Sequence, residues 1–204
     1  MDRPPGEPSD EELAARCQQG SLSAFETLYS RYQRPILAYI YQITRDYEEA
    51  ACIAQDVFLK VFEKVDRFDT KRKFSTWFYT IARNASIDYL QSRRRRVMVN
   101  FTDIDRTEGD NTILAVSEGN MPAVEERLST KEASAALSVA LAELPQIYRE
   151  IIELVVFQDK SYEEASEILG DVSLGTLRSR MFHALRNLRG KLAKVAGNTG
   201  QNLL

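Results

Sequence analysis

Apolar residues recur every three or four positions along most of the chain, the period of a helix with one buried face. Between residues 22 and 43 the pattern is Leu22, Phe25, Leu28, Tyr29, Tyr32, Ile36, Leu37, Ile40 and Ile43. Pro35 falls inside it. Pro has no N–H and crowds the preceding turn, so two helices meeting near Gln33 to Pro35 are expected. Residues 48–66 predict another helix, with Ile53, Val57, Val61 and Val65 four apart and Phe58 and Phe62 beside them. Residues 74–92 predict a third, through Phe74, Trp77, Phe78, Ile81, Ala85 and Tyr89. Such segments assemble into a bundle of about 85 residues.

The period stops at Val97 and resumes after about Leu128. Gly109, Asn111, Gly119, Asn120 and Pro122 interrupt this stretch, and seven acids stand against two arginines. So long a stretch without a pattern reads as a linker. Residues 130–143 then predict an Ala/Leu-rich helix, and Pro145 opens the next, PQIYREIIELVVFQ. SYEE at 161–164 has the form of a capping box, in which Ser161 and Glu164 satisfy each other's backbone donors. Gly170 ends that short helix. Ser173 is placed to cap a last helix running to about Val195, with Leu177, Met181, Leu185, Leu188 and Leu192 as its apolar stripe. The expected fold is all-α, with two small helical domains. An N-terminal bundle occupies 9–96, an irregular acidic linker 97–128, and a C-terminal helix-turn-helix domain 129–195.

Composition narrows the function. With 44% apolar residues among 204, the chain can bury a core. No apolar run approaches the ~18 residues of a membrane span. The start, MDRPPGEPSDEE, lacks the basic and apolar segments of a secretion signal, so a cytoplasmic location is expected. One His and two distant cysteines do not make an ordinary zinc site, and Cys17 and Cys52 read as small buried residues. GDVSLGT has glycines at P-loop spacing but no Lys after Gly175, so it cannot cradle a nucleotide as that motif does. No catalytic residue, metal or cofactor is expected.

Charge adds more than its sum of −3 conveys. Residues 70–96 hold Lys71, Arg72, Lys73, Arg83 and Arg93 to Arg96 against one acid, Asp88. Residues 173–194 hold Arg178, Arg180, Arg186, Arg189, Lys191 and Lys194 and no acid. Two basic islands in an otherwise acidic chain are the footprint of a polyanion gripped at two places. The second lies on the recognition helix of the expected helix-turn-helix. At 100° per residue, Ser179, His183 and Arg186 fall opposite the apolar stripe, and Arg178, Phe182 and Arg189 on its flank. Arg can bond guanine edges, Ser a base or a phosphate, and Phe can pack on a thymine methyl. The first-turn amides of Gly175 and Thr176 favour a phosphate.

The first island interleaves aromatics with cations, which suits unpaired bases that stack on rings while cations follow the backbone. Its candidates are Phe68, Lys71, Arg72, Lys73, Phe74, Trp77, Thr80, Asn84, Arg93 and Arg94. For Trp77, Phe78 and Ile81 a core role competes; Lys73 and Asn84 are not explained by packing.

In combination, QDVFLKVFEKVDRFD (55–69), FSTWFYTIARNASIDYLQSRRRR (74–96), LPQIYREIIEL (144–154) and SYEEASEILGDVSLGTLRSRMFHALRNLRGKL (161–192) resemble the extracytoplasmic-function (ECF) sigma factors. These are small two-domain bacterial transcription initiation factors. The resemblance implies that Gln55, Asp56, Leu59 and Lys60 bind the clamp helices of the largest subunit of core RNA polymerase, with its flap region a further contact. It implies that the loop before Phe74 and the helix carrying Asn84 hold a base of a melted minus-ten element. It also implies that Gly175, Thr176, Arg178, Ser179, Phe182, His183 and Arg186 read a duplex minus-thirty-five element. The linker would occupy the RNA exit path. An anti-sigma factor or a Ser/Thr kinase is the implied controller.

The sequence departs from that pattern in three places. Ala51 and Cys52 stand where acids commonly precede the Gln-Asp pair, and phosphorylation at Thr70, Ser75 or Thr76 could supply the missing charge. The turn from Gly170 to Gly175 is one residue longer than usual, and His183 replaces a common cation. The competing function is a stand-alone helix-turn-helix regulator, which accounts for residues 161–194 but not for the aromatic and cationic helix at 74–96.

Overall fold

A computed structural model describes residues 6–102 and 128–199, and only the backbone of the helix ends 96–102, 128–134 and 194–199. The chain divides into two compact units, within Asp2–Asn120 and Met121–Leu204. The linker expected at 97–128 lies, from 103 to 127, outside the described residues.

The first unit begins with a cap. The Ser9 amide donates to Glu12 Oε2 at 2.8 Å, and the Glu12 amide donates to Ser9 Oγ at 3.0 Å. This reciprocal pair starts α1 (Asp10–Gln18), a helix the apolar period did not reveal because only Leu13 and Ala14 are buried in it. Ser21 caps α2 (Leu22–Thr44) and Asp46 caps α3 (Tyr47–Lys64). A 3-10 turn, Val65–Arg67, leads toward α4 (Phe74–Thr102).

Two expectations are corrected here. Helix α2 is continuous through Pro35 rather than two helices. A proline inside a helix costs about 3 kcal/mol. The buried Tyr32, Ile36, Tyr39 and Ile40 around it contribute roughly 1.5–3 kcal/mol each by leaving water, so packing wins. Helix α4 also does not stop with the apolar period but runs past the arginine cluster to Thr102. Periodicity reports a buried face, and Arg93 to Arg95 are exposed. Arginine is nonetheless a good helix former, and no Gly or Pro interrupts the stretch.

The core of this unit is aromatic. Phe74 and Phe78 are fully buried, with the Tyr32 ring edge-on to the first at 5.7 Å and tilted against the second at 5.1 Å. Phe58 meets Phe78 at 5.1 Å, and Tyr39 meets Tyr79 at 5.2 Å.

In the second unit α5 (Leu128–Ala142) precedes α6 (Gln146–Ile152), which Pro145 opens as expected. A π-helical turn, Glu153–Phe157, follows and buries the Glu153 side chain. The Ser161 amide donates to Glu164 Oε2 and the Glu164 amide to Ser161 Oγ, the predicted capping box of α7 (Tyr162–Ile168). Gly170 ends this helix at φ +86°, where a side chain would be strained. Ser166 Oγ donates to the Val172 carbonyl at 2.7 Å and pins the turn. Helix α8 (Leu174–Thr199) then packs Leu177, Met181 and Ala184 against α5, α6 and α7. Among the described residues no helix is long and apolar enough to cross a membrane.

Candidate nucleic-acid interface

The register of α8 follows from what it buries. Leu177 and Ala184 are fully buried, Met181 nearly so, and Leu188 and Leu192 partly. Leu185 does not belong to the expected stripe: it is 47% exposed, and Ala184 takes the inward position. The seven-residue step from 177 to 184 lands about 20° off, whereas 185 swings about 80° away. Outward-facing positions are therefore Arg178, Ser179, Phe182, His183, Leu185, Arg186 and Arg189, all exposed. Phe182 is 63% exposed, and its ring meets His183 at 5.5 Å. The Arg178 guanidinium lies 5.9 Å from the Tyr162 ring of α7, so the first helix of the motif steadies the outward cation of the second.

The start of α8 corrects one expectation. The Thr176 amide donates to Ser173 Oγ at 3.2 Å, so it is used in capping and is not offered to a phosphate. The Ser173 and Thr176 hydroxyls are also paired, at 2.8 Å. Gly175 is exposed, and its first-turn amide has no intrahelical acceptor. At the far end Lys191 Nζ pairs at 2.6 Å with Glu143 Oε2, in the turn just after α5, so that cation is engaged within the unit.

The first island divides into inward and outward parts. Phe68 and Phe74 are buried, with rings 5.5 Å apart, and are core residues rather than the base-stacking surfaces expected of them. Interleaved aromatics and cations have the same pattern whether the rings face a core or a strand, so the sequence did not separate the two. Trp77 is half-buried, lying over Phe68 at 5.0 Å. Thr80 donates its hydroxyl to the Thr76 carbonyl. Trp77, Thr80, Asn84, Asp88, Gln91 and Arg95 share one face of α4 by helical spacing, and from Asn84 onward that face is exposed. Lys71, Arg72 and Lys73 are exposed in the loop before α4, and Arg94 is exposed near its end. Arg93 falls on the opposite side, beside Tyr89, whose phenol is pushed up by burial and by its hydrogen bond to Glu49.

On α3, Gln55, Asp56, Leu59 and Lys60 form one exposed face, with Leu59 61% accessible. Cys52 is exposed one turn before them, not buried as expected. Cys17 is half-buried, and burial pushes its thiol up. Of the hydroxyls considered for phosphorylation, Thr70 is exposed and Ser75 half-buried, but Thr76 is buried and inaccessible to a kinase.

Sequence reasoning missed two groups in this region. Gln18 Nε2 donates to the carbonyls of Val65 and Phe68, both at 2.8 Å. The Phe74 amide donates to Glu11 Oε1 at 3.0 Å. The only signal for them was the S-x-x-E start of α1 at Ser9.

Comparison with known proteins matches residues 28–96 to Sigma-70 region 2 and residues 134–188 to Sigma-70 region 4. The chain is 31% identical to the RNA polymerase sigma-H factor of Pseudomonas aeruginosa, covering 86% of this chain and 89% of that one. It is 30% identical to the ECF RNA polymerase sigma factor SigW of Bacillus subtilis, covering 86% and 92%. Among solved structures it is similar to the sigma factor RpoE of Bartonella quintana, determined in complex with the anti-sigma factor NepR. That likeness has a TM-score of 0.62 and 26% identity, over 84% of this chain and 98% of that one.

Proposed function

The chain belongs to the ECF sigma factors, and from that premise we propose how its residues divide the recognition of a promoter. As a member of this family it directs RNA polymerase to promoters and is not itself an enzyme. Helix α8 enters the major groove of a minus-thirty-five element. Arg178, Ser179, Phe182, His183 and Arg186 face the bases, and the Gly175 amide faces a phosphate. The Lys71–Lys73 loop and the Asn84 face of α4 hold a separated strand of the minus-ten element. Trp77 presents its open edge to that strand, and Phe68 and Phe74 support it from the core. The Gln55–Lys60 face of α3 meets the clamp helices of core polymerase. In the second unit the exposed Ile147, Val156 and Phe157 are available to an apolar polymerase surface such as the flap. The protein works in the cytoplasm, where the polymerase is, and an anti-sigma factor is part of the same reading.

The observation that carries this division is the contrast between two exposed faces. One is a basic helix with apolar tips, suited to an intact groove. The other is a polar helix face beside a cationic loop, suited to unstacked bases. A stand-alone regulator would not need the second face. Run-off transcription with core polymerase on a genomic promoter library tests the proposal. Start sites that depend on this chain and share two spaced elements are the expected result. Core polymerase that neither binds the chain nor changes its start sites would refute it.

A further inference from the structure

The hydrogen bonds of Gln18 and Glu11 meet at a place the promoter-reading residues do not explain. Gln18 holds the carbonyl of Phe68, the last residue before the cationic loop. Glu11 holds the amide of Phe74, the first residue after it. Only Asp69 to Lys73 lie between the two anchors. On α1 the two side chains are seven residues apart, which places them on one face about 10.5 Å from each other. A single short helix therefore grips both ends of the loop.

That helix has its own footing. Asp10 accepts from Arg31 Nη1 at 2.6 Å and from the Tyr32 hydroxyl at 2.5 Å, and Glu7 accepts from Arg31 Nη2 at 2.9 Å. Tyr32 in turn packs its ring on Phe74. Nine residues of helix are too few to persist in water without such ties, so the helix, the loop and the start of α4 stand or fall as one assembly. The Glu11 carboxylate also faces the N-terminal end of α4, where negative charge is favourable.

We propose that α1 is a clamp that sets the span of the strand-capturing loop, with Glu11 and Gln18 as its positioning residues. The inference rests on the reading that this loop and α4 hold a melted minus-ten strand. A loop held open in advance does not have to be ordered when the strand arrives, so the clamp contributes to capture without touching nucleic acid.

The test uses the full chain assembled with core polymerase, as wild type, Glu11→Ala, Glu11→Gln and Gln18→Ala. Three quantities are measured: affinity for core, affinity of the holoenzyme for a duplex minus-thirty-five fragment, and affinity for a fluorescent single-stranded minus-ten oligonucleotide. Gln18→Ala and Glu11→Ala are each expected to weaken the oligonucleotide about tenfold, the weight of one well-placed hydrogen bond. Core and duplex affinities stay unchanged. Glu11→Gln keeps an acceptor for the Phe74 amide but not the charge, and loses clearly less than Glu11→Ala. An oligonucleotide with an abasic site at the captured position binds wild type and variants equally. Variants that retain full oligonucleotide affinity overturn the inference. So does a loss that falls equally on core affinity and on the unfolding midpoint, because that is a folding defect. A wild-type holoenzyme that binds the oligonucleotide no better than a scrambled one overturns the underlying reading instead.

Discussion

Leu185 and Phe182 put two apolar side chains among the arginines of α8, on the side turned away from the core. Between cations that favour phosphates and guanines, apolar tips fit the C5-methyl of thymine. Replacing thymine by uracil in the minus-thirty-five element should cost about 0.8 kcal/mol per methyl so contacted, close to fourfold in affinity. Leu185→Ala should abolish that difference at one position; band-shift titration of holoenzyme measures both. Glu153 makes a different case. Burial in the π-helical turn raises its carboxyl above the ordinary range, opposed by the hydrogen bond it accepts from Gln158. An acid raised on folding stabilises the fold while it is protonated, below its unfolded value. That stability is lost as pH rises from the unfolded toward the folded value. Above the folded value the buried group is ionised and lowers the stability of the fold. Glu153→Gln should therefore raise the unfolding midpoint more at high pH than at low pH, as thermal denaturation across a pH series would show.

At the scale of elements, what could be read in advance followed backbone chemistry. Ser161, Gly170 and Ser173 each solve a local problem of a helix end, and local problems are written in neighbouring residues. Ser161→Ala removes the α7 cap and should cost about 1 kcal/mol, a fall of about 5 °C in the Tm of the second unit, followed by circular dichroism. What escaped reading depended on distant partners. Phe68 and Phe74 have a pattern compatible with stacking until the core that encloses them is seen. Pro35 would break an isolated helix but not one packed against α1, α3 and α4. Leu185 differs from Ala184 by a single step around the helix, too little for a period of three or four to resolve. Glu11 and Gln18 act on backbone atoms 63 and 50 residues away, which no local pattern encodes.

Across the whole molecule, a charge of −3 coexists with two cationic faces. The acidic remainder limits unspecific adhesion to nucleic acid, so affinity should depend on assembly with polymerase. Neutralising Arg189 should reduce the slope of log affinity against log salt by about 0.9, the share of one phosphate. Neutralising Arg178 should relax sequence preference instead. Titrations of a matched and a mismatched promoter at several salt concentrations separate the two effects.

The pairing of Lys191 with Glu143 has a consequence for vocabulary. With that cation occupied, the length of α8 open to DNA runs from Gly175 to about Arg189, and the part proposed to read bases, 178–186, spans about 13 Å. At 3.4 Å per step this is a word of about four letters, which recurs by chance roughly once per few hundred base pairs and cannot by itself name a gene among genomic competitors. On the proposed reading, selectivity comes from grammar: a second word, read only after the strands part.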